Sequence, residues 1–149
     1  MDYDAFRSVL EALERERVRY VVFGAGAMNL LGLARFTEDL DIFIAPTEEN
    51  VARLRIALRQ VFDDPSIDEI TAADLLGDYP AVQYVPPEGT FRIDILTRLG
   101  EAFAFEDLEQ TRVDVDDALT VTVASPRTLY RMKRDTVRLK DHADAALLR

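Results

Sequence analysis

The chain contains no cysteine. Disulfides and thiolate metal sites are therefore excluded, and the cytoplasm is the expected location. Its 149 residues include a single histidine, His142, which excludes a histidine-rich metal centre and suits a surface or boundary position. No apolar run approaches the roughly 20 residues needed to span a bilayer, so no membrane partner is expected. The opening Met1-Asp2-Tyr3-Asp4 is acidic and begins a mixed helix rather than a signal peptide. Positive charge is also scarce: 18 Lys and Arg stand against 28 Asp and Glu, a net charge of −10. That balance opposes indiscriminate binding to nucleic acid. One basic stretch remains, in which Arg127, Arg131, Lys133, Arg134, Arg138 and Lys140 are interrupted only by Asp135 among acids. A run of this kind makes either a solvated helix face or a local basic surface.

Hydrophobic residues, by contrast, make up 48% of the chain, which excludes disorder and suits one domain over residues 1–149. Phe6, Val9, Leu10 and Leu13 share one stripe and predict a helix over 3–17. The β-branched and aromatic run 18–23 predicts a strand. Gly24 and Gly26 permit a tight turn, followed by a short helix over 27–33 and a loop at 35–38. A second strand is expected over 40–44. Thr47 caps a helix reaching about Val61, which the run Asp63-Asp64-Pro65-Ser66 breaks. Thr71 caps a short helix through Leu76. Strands over 81–85 and 91–96 are joined by the turn-rich 86–90. A short helix at 105–110 precedes a hairpin of 111–115 and 119–123, turning at Asp116-Asp117. Ser125-Pro126 then starts a helical segment over about 126–148, with a bend or break near Leu139. This order lacks regular βαβ repeats, so the expected fold is α+β, a mixed sheet flanked by helices.

The chemistry concentrates at Asp39 and Asp41, which begin the apolar run 40–44. Side chains at i and i+2 of a strand point to the same side, so two carboxylates converge on one face. Such a pair is costly unless a cation neutralises it. Mg²⁺ favours one or two carboxylates together with substrate phosphates. The turn Gly24-Ala25-Gly26 offers backbone N–H groups leading into a helix, suited to holding phosphates. Asp94, set among apolar neighbours in its strand, is a candidate third carboxylate. The pattern points to metal-assisted transfer of a nucleotidyl or phosphoryl group.

The text Phe23-Gly24-Ala25-Gly26-Ala27, then Gly32, Arg35, Thr37, Asp39-Leu40-Asp41 and later Asp94, resembles the nucleotidyltransferase superfamily. The closer likeness is to small bacterial members such as abortive-infection type nucleotidyltransferase toxins and related domains. A late pattern of Lys133, Arg138, Lys140-Asp141 and Asp144 extends the likeness over nearly the whole chain. The resemblance implies that Asp39, Asp41 and Asp94 bind Mg²⁺ or Mn²⁺, with Asp94 also a candidate base. It implies that Gly24, Ala25 and Gly26 approach the phosphates of an NTP donor, with Arg35, Thr37 and Lys133 as further phosphate-side contacts. It further implies ATP or another NTP as substrate, an acceptor such as tRNA, a protein or a small molecule, and a toxin–antitoxin or phage-defence setting with a cognate partner protein. Ala25 departs from the family, where many members carry glycine or serine. A serine hydroxyl holds phosphate directly and alanine does not, whereas backbone contacts are unaffected.

Two other functions fit the same residues. One is a nucleotidyltransferase-like binding module or antitoxin without turnover, favoured by Ala25. The other is an antibiotic-modifying nucleotidyltransferase, for which the acidity is suitable but little chain remains for a second helical domain. Structural roles stand beside each piece: Asp39 and Asp41 as solvated strand-end residues, Gly24 and Gly26 as a plain turn, and Arg35 as a partner of Glu38 or Asp39. The acids Asp114, Asp116 and Asp117 read as a hairpin turn rather than a second metal site.

Overall fold

The structure is a computed structural model, and it describes residues 3–24, 27, 39–76, 81–87, 92–99 and 103–131. Helix α1 (Tyr3–Arg15) leads to strand β1 (Tyr20–Phe23). Strand β2 (Asp39–Ile44) is followed by helix α2 (Glu48–Val61), a 3₁₀ turn at Pro65–Glu69 and the short helix α3 (Ala72–Leu76). Strands β3 (Ala81–Tyr84) and β4 (Arg92–Leu96) come next, then a small pair, β5 (Arg98–Leu99) and β6 (Phe103–Ala104). A 3₁₀ turn at Phe105–Asp107 precedes the hairpin of β7 (Gln110–Asp116) and β8 (Leu119–Ala124). A further helix, α4, covers residues 126–131.

Six strands form one mixed sheet in the order β3-β4-β2-β1-β8-β7. The β2–β4 and β1–β8 pairs are parallel, and the others are antiparallel. The expected mixed α+β fold is therefore what the chain adopts. The helix caps follow the sequence. Thr47 Oγ1 accepts from the Asn50 N–H at 3.1 Å, Thr71 Oγ1 from Asp74 at 3.2 Å, and Ser125 Oγ from Thr128 at 3.2 Å. Two details differ. The segment expected as a helix over 105–110 is one 3₁₀ turn, because Gln110 already pairs with Ala124 in the hairpin. The two-residue strands β5 and β6 are too short to leave a periodic signal.

The sheet has two unlike faces. Leu40, Ile42 and Ile44 of β2 and Ile93 and Ile95 of β4 are fully buried on one of them. Tyr20 pairs with Ile44 and so shares this face. Its hydroxyl donates to Glu14 of α1 at 2.6 Å and accepts from the Thr122 N–H at 3.2 Å, which places α1 against this side. Phe6, Val9, Leu10 and Leu13 of α1 are buried, as their stripe predicts, each adding about 1.5–3 kcal/mol of transfer free energy. At its polar edge α1 is clamped to the hairpin. Arg7 Nε reaches Asp116 at 2.6 Å, and Arg112 holds both oxygens of Glu14 at 2.8 and 3.1 Å. Asp114 accepts from Thr120 Oγ1, and Asp116 also accepts from the Ala118 N–H, so these acids serve the hairpin.

One buried polar side chain fixes the strands that carry the candidate site. Asn50 of α2 accepts from the Arg19 N–H at 2.7 Å and donates to the carbonyls of Arg19 and Ala45 at 3.0 and 2.9 Å. It thus ties the residue before β1 to the residue after β2. Those two strands bring Gly24 and Asp41 together at their far ends.

Candidate active site

The second face of the sheet is polar at its centre. The parallel register of β2 and β4 sets Asp41 directly opposite Asp94, and Asp39 opposite Arg92. Phe23 of β1 pairs with Asp41, and Gln83 of β3 pairs with Asp94. One row across four strands therefore reads Phe23, Asp41, Asp94, Gln83, with Asp39 and Arg92 in the adjoining row. This cross-strand placement sets Asp41 beside Asp94, from two distant segments, with Asp39 one row away.

Each carboxylate has its own environment. Asp41 hydrogen-bonds Asp94, and its pKa is pushed up to about 7. Burial is the main cause, followed by the hydrogen bond and the charges of Asp94 and Asp39, with Arg92 opposing. Asp94 Oδ1 also accepts from Gln83 Nε2 at 3.1 Å. Asp39 is held differently: Arg92 grips it in a two-pronged pair, Nε to Oδ1 at 2.9 Å and Nη2 to Oδ2 at 3.3 Å. Among the described residues no group of three acidic or imidazole side chains is gathered to hold a metal ion. Two are gathered, and the third faces an arginine.

Gly24 closes the site from β1. Its φ is +71°, a conformation that L side chains rarely adopt. A Cβ at this position would overlap Asp41 Oδ2 and lie 3.3 Å from its Cγ. The glycine thus serves a close approach of backbone to carboxylate. Beside it, the Phe23 and Phe43 rings pack at 4.8 Å between centroids, flooring one end of the row. A cleft of about 570 Å³ opens over Phe23, Asp41, Gln83, Asp94 and Leu96. That volume is in the range of small-molecule sites.

Of the residues expected from sequence, Asp39, Asp41, Asp94 and Gly24 lie on this one face. Ala25, Gly26, Arg35, Thr37 and Lys133 lie outside the described residues, as do His142 and most of the late basic stretch. Sequence reasoning missed Arg92 and Gln83. Arg92 precedes Asp94 by two residues and so shares its face, but its pairing with Asp39 depends on the β2–β4 register. Gln83 carried no such signal, since its role depends on the β3–β4 register.

The donor set suits a hard divalent cation. Asp41 and Asp94 supply adjacent carboxylate oxygens, and burial together with the neighbouring Asp94 raises the pKa of Asp41. The cleft leaves space for phosphate oxygens to complete the coordination.

A solved structure of similar shape comes from Thermotoga maritima, where it is described as a "putative nucleotidyltransferase". It superposes with a TM-score of 0.67 at 15% identity, covering 98% of this chain and 91% of that one. That likeness shows a shared fold. Residues 8–143 match the family described as "Nucleotidyl transferase AbiEii toxin, Type IV TA system", and the chain belongs to that family. No curated protein matches it significantly.

Proposed function

We propose that the protein transfers a nucleoside monophosphate from an NTP to an acceptor hydroxyl, releasing pyrophosphate, with Mg²⁺ or Mn²⁺ as cofactor. The observation that carries this reading is the register of β2 and β4, which pairs Asp41 with Asp94 beside an open cleft. Asp41 and Asp94 would hold the cation, with Asp39 joining them. A bound divalent ion supplies charge neutralisation of the triphosphate and of the transition state.

The protein's own part is positioning and proton handling. The acceptor oxygen attacks the α-phosphorus, and the bond from that phosphorus to the bridging oxygen breaks as pyrophosphate leaves. The hydroxyl proton passes to a carboxylate oxygen of Asp94, which Gln83 orients through its 3.1 Å hydrogen bond. Gly24 lets the backbone at the end of β1 lie against Asp41.

Family membership supports a role in a toxin–antitoxin system, with an antitoxin as counterpart. The acceptor class is RNA, protein or small molecule. Among the described residues no helix is long and apolar enough to cross a membrane. Incubation with each α-labelled NTP, Mg²⁺ and either total tRNA or cell lysate tests the reading. Label moving to RNA or protein with wild type, but not with Asp41→Asn, supports it. Equal labelling by both proteins contradicts it.

A further inference from the structure

Asp39 and Arg92 form the second row of the site, and both remain accessible, with side chains 31% and 48% exposed. Their strands place the pair immediately beside Asp41 and Asp94. Each acid of the site thus has a substitute for a metal ion. Asp41 and Asp94 share a hydrogen bond, and Asp39 has a guanidinium. A guanidinium fork fits a phosphate as well as it fits a carboxylate, and solvent reaches both members of the pair.

We propose that Arg92 is a nucleotide-binding residue that changes partner during substrate loading. In the nucleotide-free protein it neutralises Asp39. When a divalent cation and a triphosphate arrive together, the cation replaces the guanidinium at Asp39, and Arg92 turns to a phosphate oxygen. The exchange keeps every charge paired: the carboxylate gains the cation, and the arginine gains the phosphate. It also disfavours the cation alone, which must displace Arg92 with no phosphate present to receive it. The protein therefore selects the metal–nucleotide complex over the free ion. This inference rests on the nucleotidyltransfer reading of the site.

The test measures binding without turnover. Mn²⁺ affinity is read from the electron paramagnetic resonance of the free ion, alone and with an α,β-methylene nucleoside triphosphate. The proteins are wild type, Arg92→Gln, Arg92→Lys and Asp94→Asn. Arg92→Gln is expected to bind Mn²⁺ alone about three- to tenfold more tightly, because the competing cation is gone. The same variant is expected to bind the triphosphate analogue with Mn²⁺ about tenfold more weakly, because a phosphate contact is gone. Arg92→Lys falls between wild type and Arg92→Gln in both measurements. Changes of the same sign, or none, overturn the proposal. If Asp94→Asn loses Mn²⁺ while Arg92→Gln behaves as wild type, the site stands and the role of Arg92 falls. If Asp94→Asn binds Mn²⁺ as wild type does, the site assignment fails, and the proposal fails with it.

Discussion

Asp41 and Asp94 face each other across parallel strands β2 and β4 and share a hydrogen bond between two carboxyl groups. Burial opposes ionisation of Asp41, and the neighbouring Asp94 adds to the opposition. The arrangement costs stability in the isolated protein. Its physical rationale is a ligand that brings positive charge.

The pH dependence of stability follows from this pair. The folded-state pKa of Asp41 is raised from 3.8 to about 7, so the folded chain keeps a proton that the unfolded chain releases. That contribution is fully present below about pH 4 and is lost as pH rises to about 7. Asp41→Asn removes it. Thermal melts from pH 4 to 8 are expected to show wild type losing ground to Asp41→Asn up to about pH 7, with a constant gap above. A gap that closes with rising pH contradicts the pairing.

Gly24→Ala attacks the close approach of backbone and carboxylate. The new Cβ meets Asp41 Oδ2, and the left-handed φ adds strain of about 1–2 kcal/mol. Urea denaturation is expected to show a loss of about 1–3 kcal/mol. The rise in melting temperature with NTP and Mg²⁺ should shrink too, because Asp41 is displaced.

Asn50→Ala tests the frame rather than the chemistry. It strands the N–H of Arg19 and the carbonyl of Ala45 without their side-chain partner, while the Arg19 carbonyl keeps its bond from the Ala45 N–H at 3.2 Å. Unsatisfied buried groups cost about 1–3 kcal/mol each, and partial access of water to Arg19 brings the expected total to about 2–4 kcal/mol. Denaturant titration measures it. Transfer per folded molecule should stay near the wild-type value at low temperature.

Gln83→Ala removes the donor that orients Asp94 while leaving both carboxylates in place. Transfer is expected to fall about tenfold, by analogy with other supporting residues of metal sites, with little change in melting temperature. A variant as active as wild type would show that Asp94 needs no orientation from β3.

Much of this was legible in the chain because it depends on local rules. The alternation of Asp39, Leu40, Asp41 and Ile42 fixes which side chains share a face, and Thr47, Thr71 and Ser125 announce their helices. Asp94 stood out as an acid inside an apolar strand. The partners of these acids were not legible. Arg92 meets Asp39, and Gln83 meets Asp94, through pairings between separate strands, and no local pattern encodes such a register. The 3₁₀ turn at Phe105–Asp107 was read as a longer helix because the start of β7 at Gln110 is set by pairing with β8.

The most direct test of the central claim is a crystal of the protein soaked with Mn²⁺ and an α,β-methylene nucleoside triphosphate. The account predicts an anomalous peak bridging the carboxylates of Asp41 and Asp94, with the triphosphate in the cleft beside Gly24. A peak at any other cluster of acids, with the Asp41–Asp94 hydrogen bond unbroken, would contradict it.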